Sequence, residues 1–178
     1  DVRKAKFVEG KDKLFAFNSA KKRSTVVIHN KDGSCRVYVK GASEWVIKDC
    51  TQYLDSNGKV QKMDDAKLAE LNEYIGNMAD KALRTLVLAH VDFPNEAAMG
   101  SNWEEQPPDA ANLICDCIVG IIDPLRSDVK LAVKTAQEAG VIVRMVTGDN
   151  IATAKAIARN CNILTEGGIA VEGPVFRK

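Results

Sequence analysis

Histidine is nearly absent from this 178-residue chain. His29 and His90 are the two it has, which argues against a histidine-centred catalytic or metal site. Five cysteines are present: Cys35, Cys50, Cys115, Cys117 and Cys161. Their number is odd and no C-x-x-C pair occurs, so neither a disulfide framework nor a zinc site is indicated, and a reducing compartment fits. Charge of one sign is also lacking. Twenty-five Lys and Arg against 24 Asp and Glu leave a net charge of +1, so no strong field favours nucleic acid or an anionic membrane. No apolar run approaches the roughly 20 residues of a membrane helix. The longest, 114–122, is broken by Asp116. A signal peptide, an internal repeat and a low-complexity tract are missing too. The expectation is a soluble globular segment. The start without Met and the stop soon after Gly173-Pro174 read as part of a longer protein.

What is present is ordinary globular composition, 46% hydrophobic and 28% charged, enough for one or two domains with real cores. Residues 13–18 read as a strand with Phe15 and Phe17 on one face. The β-branched run 24–29, the turn Lys31-Asp32-Gly33-Ser34 and the run 35–39 read as a hairpin. Gly41-Ala42 breaks that strand, and Ser43 is placed as N-cap of a helix to Asp49. Residues 51–62 read as a turn-rich loop. Residues 64–81 carry Leu68, Leu71, Ile75 and Met78 on one helical stripe, which is core packing. A strand at 83–91, a polar surface insertion at 94–110 holding Trp103, and a buried strand at 112–122 follow. Cys115 and Cys117 alternate with apolar residues there, on one face.

From Asp123 the pattern changes. A helix at 127–139 ends at Gly140 in a C′ position. A strand at 141–146, a turn, a helix at 151–161 and a short strand near 168–171 complete an αβαβ order, which argues a parallel, Rossmann-type sheet. The fold class is therefore α/β. An antiparallel-sheet domain spans 1–122 and part of a Rossmann-like domain spans 123–178, with 123–126 as hinge.

Three motifs recur to chemistry. Thr147-Gly148-Asp149-Asn150 joins an apolar strand to a helix, where open α/β sheets bind ligands and a helix N-terminus faces an anion. Thr147 could donate to a phosphate oxygen and Asp149 could hold a cation or hydroxyl. Equally, Asp149 or Asn150 could simply cap the helix. Lys40-Gly41-Ala42-Ser43-Glu44 ends a strand with small residues that would let a flat ligand approach. Lys40 could lie along a base or reach a phosphate, or be a solvated strand end. Asp123-Pro124-Leu125-Arg126 reads as a stiff joint, with Asp123 as N-cap, Pro124 at N1 and Arg126 close enough to pair with Asp123. Phe17 could stack on a base or be a core aromatic. Arg84 could fork onto phosphate or sit in a structural ion pair. The basic run Lys21-Lys22-Arg23 is a solvated turn or a phosphate contact.

Taken in order, these motifs resemble the large cytoplasmic loop of P-type ATPases, the ion pumps that form an aspartyl-phosphate. The resemblance covers essentially all 178 residues. The wording around Thr147 and the later Gly168-Ile-Ala-Val-Glu-Gly-Pro-Val-Phe-Arg177 are closest to plasma-membrane, autoinhibited calcium-transporting pumps of the plant-like branch. The resemblance implies ATP bound by Phe17, Lys22, Lys40, Gly41, Arg84 and Asp149. It implies catalytic roles for Thr147, Gly148 and Asp149, and a hinge at Asp123, Pro124 and Arg126. It implies ATP with Mg²⁺ as cofactors, a transported cation, Ca²⁺ first, and calmodulin regulation of the parent. It also implies a cytosolic position in an integral membrane protein.

The segments D-K-T-G-T and G-D-G-x-N-D are absent, so the phosphorylated Asp and the Mg²⁺ ligands are expected elsewhere. This segment alone should not turn over ATP, and no metal site is assigned to it. Asn162 stands where the family has Gly, a position where Asn also accepts a left-handed conformation. A soluble haloacid-dehalogenase-type phosphatase and a non-catalytic nucleotide-binding or interaction module are the competing readings.

Overall fold

Two β-branched runs with alternating burial form the ladder on which the first part of the chain is laid. The computed structural model describes residues 7–108 and 111–177. Strands β1 (Lys13–Asn18), β2 (Arg23–His29) and β3 (Cys35–Ala42) come first. Helix α1 (Ser43–Val46), a 3-10 turn at Ile47–Asp49, β4 (Cys50–Leu54) and β5 (Val60–Lys62) follow. Then come α2 (Asp65–Asp80), β6 (Leu83–Phe93), a 3-10 turn at Glu96–Met99 and β7 (Leu113–Ile122). Helices α3 (Val129–Glu138), α4 (Ile151–Asn160) and α5 (Gly173–Phe176) close the chain.

The strands make one sheet in the order β1-β2-β3-β6-β7-β4-β5. It is mixed: β1/β2, β2/β3, β3/β6 and β4/β5 are antiparallel, and β4/β7 is parallel. The fold is thus α/β, as the sequence indicates. Thr25 pairs with Val39 and Val27 with Val37. These four are buried, so one face of the ladder is core. Tyr38 and Lys40, one step out of phase, are exposed, as the two-residue period of a strand requires. The expected turn forms: Gly33 has φ +89°, and the Asp32 carboxylate accepts the Ser34 N–H at 3.0 Å.

The described chain divides into two compact units. One holds the residues up to Asn72 and Leu86–Val119. The other holds Glu73–Thr85 and the chain from Gly120 onward. The core of the first includes Val27, Val37, Val39, Ile47, Val87 and Leu113, with Leu68 and Leu71 packed on it. In the second, Val133, Ala156, Ala158 and Cys161 are buried.

Several expectations are corrected here. The segment read as loop 51–62 is a β4/β5 hairpin. Its turn is closed by Asp55, whose Oδ1 accepts the N–H groups of Asn57 and Lys59, both at 2.9 Å. β5 is three residues long and exposed throughout, so it leaves no alternation to read. Trp103 does not decorate a surface insertion; it is buried in the core and its Nε1–H donates to Glu96 Oε1 at 3.2 Å. Ser43 is not an N-cap but the buried first residue of α1, with Ala42 at the cap. Cys115 is buried and Cys117 exposed, because cover over β7 runs out along the strand, and Ile122 is 71% exposed.

In the second unit, α3 starts at Val129 with Asp128 at its N-cap, so Asp123 and Pro124 do not open a helix. Gly140 does take the C′ role, at φ +78°, with its N–H on Gln137 O at 3.0 Å and Val141 N–H on Ala136 O at 2.9 Å. Asn162 is left-handed at φ +60°, as its residue type allows. The helices of the αβαβ reading form, but 141–147 and 168–171 carry no strand among the described residues. A strand exists only through pairing with a neighbouring strand, and no strand of the described residues pairs with these segments.

Candidate functional site

The turn after Val146 resolves the capping question. Asn150, not Asp149, caps α4: its side chain accepts the Thr153 N–H at 2.9 Å, satisfying an end group that the helix cannot satisfy itself. Asp149 is thereby left for other work. Its N–H donates to Thr147 Oγ1 at 3.1 Å, and the Thr147 hydroxyl donates back to Asp149 Oδ2 at 2.8 Å. The two side chains brace each other across the turn. Gly148 has open space where a Cβ would sit, so the turn's own packing does not demand glycine there.

Arg84 meets this turn as a fork. Its Nε lies 2.9 Å from Asp149 Oδ1 and its Nη2 donates to Oδ2 at 3.3 Å. Nη1 lies 3.7 Å from Asp123 Oδ2. A planar guanidinium suits this bidentate geometry. The arrangement has a backbone anchor that sequence reasoning missed. Thr153, fully buried in the first turn of α4, donates its hydroxyl to Leu83 O at 3.1 Å. That ties the start of α4 to the residue before Arg84. A lone threonine in a helix gives no sequence signal for such a bond.

Thus Arg84, Asp123, Thr147 and Asp149 come together within the second unit. Arg126 does not join them. It lies 3.8 Å from Asp128, not on Asp123, and is 84% exposed, correcting the expected Asp123–Arg126 pair. Among the described residues no group of three or more His, Cys, Asp or Glu could hold a metal ion.

Pro124 also lies in the second unit, and the other expected nucleotide residues stand in the first. Phe17 on β1 is 61% exposed, and Lys40 on β3 is exposed. Lys22, in the turn just before β2, holds a left-handed φ of +53°, and its carbonyl accepts the Ala42 N–H at 3.0 Å. Gly41 is needed by the fold itself. A Cβ there would lie 2.5 Å from Lys22 O and 2.7 Å from Arg23 Cβ. In the direction of a Cβ, the chain's own backbone fills the space. Four residues earlier on β3, Arg36 grips Asp92 through two bonds of 2.6 and 2.7 Å. This holds the Asp92 carboxyl below its usual range.

The family model described as P-type ATPase, cytoplasmic domain N, matches residues 1–128. The chain belongs to this P-type ATPase family. It is similar to Calcium-transporting ATPase 10, plasma membrane-type, of Oryza sativa subsp. japonica, at 48% identity over 93% of the chain and 16% of that protein. Calcium-transporting ATPase PAT1 of Dictyostelium discoideum is 47% identical over 93% of the chain and 14% of its own length. Putative calcium-transporting ATPase 7, plasma membrane-type, of Arabidopsis thaliana is 48% identical, again over 93% of the chain and 16% of its own length. The P-type ATPase resemblance read from the motifs therefore stands, as does its leaning to plasma-membrane-type, plant-like calcium pumps. The chain spans about one-sixth of the length of these relatives. No helix among the described residues is long and apolar enough to cross a membrane.

Proposed function

We propose that this chain is the nucleotide-handling part of an ATP-driven calcium pump. Phe17, Lys22 and Lys40 on the first unit take the adenine end of ATP. Arg84 and Thr147 serve the phosphates, with Asp149 holding Arg84 until they arrive. The hinge role belongs to Asp123, Pro124 and Arg126, at the junction of the 1–122 and 123–178 domains. The γ-phosphoryl group goes to an aspartate outside these residues. Positioning and charge neutralisation are the main requirements of such a transfer, and an arginine fork and a threonine hydroxyl supply both. ATP arrives with Mg²⁺, whose protein ligands lie outside these residues. The transported Ca²⁺, its membrane path and calmodulin control belong to the parent protein, with this part on the cytosolic side.

One observation carries the reading: Arg84 is held fork to fork on the Asp of the Thr-Gly-Asp turn. The arginine read as a phosphate contact thus lies against the turn read as handling the phosphoryl group, which supports assigning them one task. A phosphatase that uses only the turn has no need of exposed Phe17 and Lys40.

The test is an ATP titration by calorimetry and by the fluorescence of Trp45, which is 51% exposed and five residues from Lys40. Saturable binding that weakens about tenfold in Phe17→Ala and in Lys40→Ala supports the adenine site, since one stacked base is worth roughly 1–3 kcal/mol. A folded chain that shows no ATP binding, or variants that bind as well as the parent, would sink it.

A further inference from the structure

The chain at 17–23 is joined to the chain at 41–49 by a backbone bond, a ladder pair and an ion pair. Asn18 Oδ1 accepts the N–H groups of Ala20 and Lys21 at 2.9 and 3.0 Å, which folds the turn between Phe17 and Lys22. Lys22 O accepts the Ala42 N–H, and Gly41 lies opposite Arg23 in the ladder, too close for any side chain. The third link is the ion pair. Arg23 Nη1 donates to Asp49 Oδ2 at 2.6 Å, with side chains 25% and 42% exposed. Asp49 ends the 3-10 turn that follows α1, the helix that begins directly after Ala42.

We infer that the Arg23–Asp49 pair is a positioning clamp for the nucleotide site. It closes the β2 start onto the helical turn, and so sets the spacing of Phe17 and Lys22 from Lys40. Neither Arg23 nor Asp49 is assigned to the ligand itself. The fold does not depend on the pair, because a partly exposed ion pair contributes only about 0–1 kcal/mol. Its placement is what matters. Lys22 sits in a strained left-handed conformation one residue before Arg23, and such strain persists only where surrounding contacts over-determine it. Gly41 and the Lys22–Ala42 bond fix one side of that residue, and the clamp fixes the other. Misplacing binding groups by about an ångström is costly even when the fold is intact.

This inference rests on the ATP reading above, and its test separates the two. Arg23→Ala, Asp49→Ala and the swap Arg23→Asp with Asp49→Arg are made in the chain. Melting temperature and ATP affinity are measured for each. The single variants should bind ATP about five- to tenfold more weakly while melting within about 4 °C of the parent, the range expected for an exposed pair in a chain of this size. The swap should recover most of the affinity. Unchanged affinity in both single variants overturns the clamp, as does a loss that follows melting temperature or that the swap fails to repair. If the unaltered, folded chain does not bind ATP, the function and the clamp fall together. If it binds and the variants bind equally, the clamp alone falls.

Discussion

Arg84 and Asp149 face each other fork to fork, Nε 2.9 Å from Oδ1 and Nη2 3.3 Å from Oδ2. The Asp149 side chain is 15% exposed and that of Arg84 50%, so the carboxylate is the seated partner and the guanidinium the reachable one. A phosphate that recruits Arg84 must compete with Asp149, and the same carboxylate repels the phosphate. Asp149→Asn should therefore tighten ATP binding up to about fivefold, the effect of releasing a pair worth up to about 1 kcal/mol. Arg84→Ala should weaken it by at least as much. Calorimetric titration of both variants decides the matter. Weaker binding by Asp149→Asn would show that Asp149 positions Arg84 rather than competing for its ligand.

Glycine at 41 and glycine at 148 stand inside motifs of similar appearance, yet their physics differs. A Cβ at 41 would lie 2.5 Å from a backbone oxygen, whereas at 148 it would meet nothing within 4 Å. Gly41→Ala should cost about 1–3 kcal/mol of stability, as overpacking a tight site does. Gly148→Ala should leave stability within about 0.5 kcal/mol. Urea unfolding of the two variants tests this, and a large loss for Gly148→Ala would mean the turn carries strain that the geometry does not reveal.

The contrast also marks what could be read from the residues alone. Motif order and the alternation of 23–29 and 35–39 gave the family and the first hairpin, because both signals are local. The cap of α4 was narrowed to Asp149 or Asn150, and the Gly140 stop was legible for the same reason. The Trp103 burial was not, because it depends on Glu96 and on a core formed by distant strands. Nor was the partnership of Arg84 with Asp149, 65 residues apart. Arg84, a charge in an apolar strand, could be read as a phosphate fork or an ion pair, but its partner could not be named. The strand expected at 141–146 shows the opposite failure: its apolar pattern is local, but a ladder needs a neighbour that pattern cannot supply.

Lys22 offers a test in which stability and binding move apart. Its φ of +53° costs a lysine roughly 1–2 kcal/mol, while glycine there gives back about 0.5–1 kcal/mol through its looser unfolded chain. Lys22→Gly should thus be neutral or stabilising by up to about 1 kcal/mol, and should weaken ATP binding severalfold because the ammonium is gone. Denaturant midpoints and ATP affinity are read on the same preparations. A stabilised variant with full affinity would remove Lys22 from the site.

Asp12 is placed to make the first unit acid-sensitive. Its side chain is 1% exposed. Oδ1 accepts the His29 backbone N–H at 2.8 Å and Oδ2 accepts the Val8 N–H at 2.7 Å. Burial raises its pKa, but these bonds and the nearby His29 ring outweigh burial and hold the carboxyl below the ordinary 3.8. A carboxyl depressed on folding contributes stability that is complete above its unfolded pKa and is lost as pH falls through the folded value. The loss should therefore set in below about pH 4 and be absent between pH 5 and 7. Asp12→Asn turns one acceptor into a donor facing the Val8 N–H, so it should cost about 1–3 kcal/mol at neutral pH. Because the variant no longer titrates there, its stability should fall less steeply under acid. Urea midpoints from pH 2.5 to 7 for both proteins provide the comparison. Curves that run parallel across the acid limb would mean that Asp12 binds its proton equally well folded and unfolded.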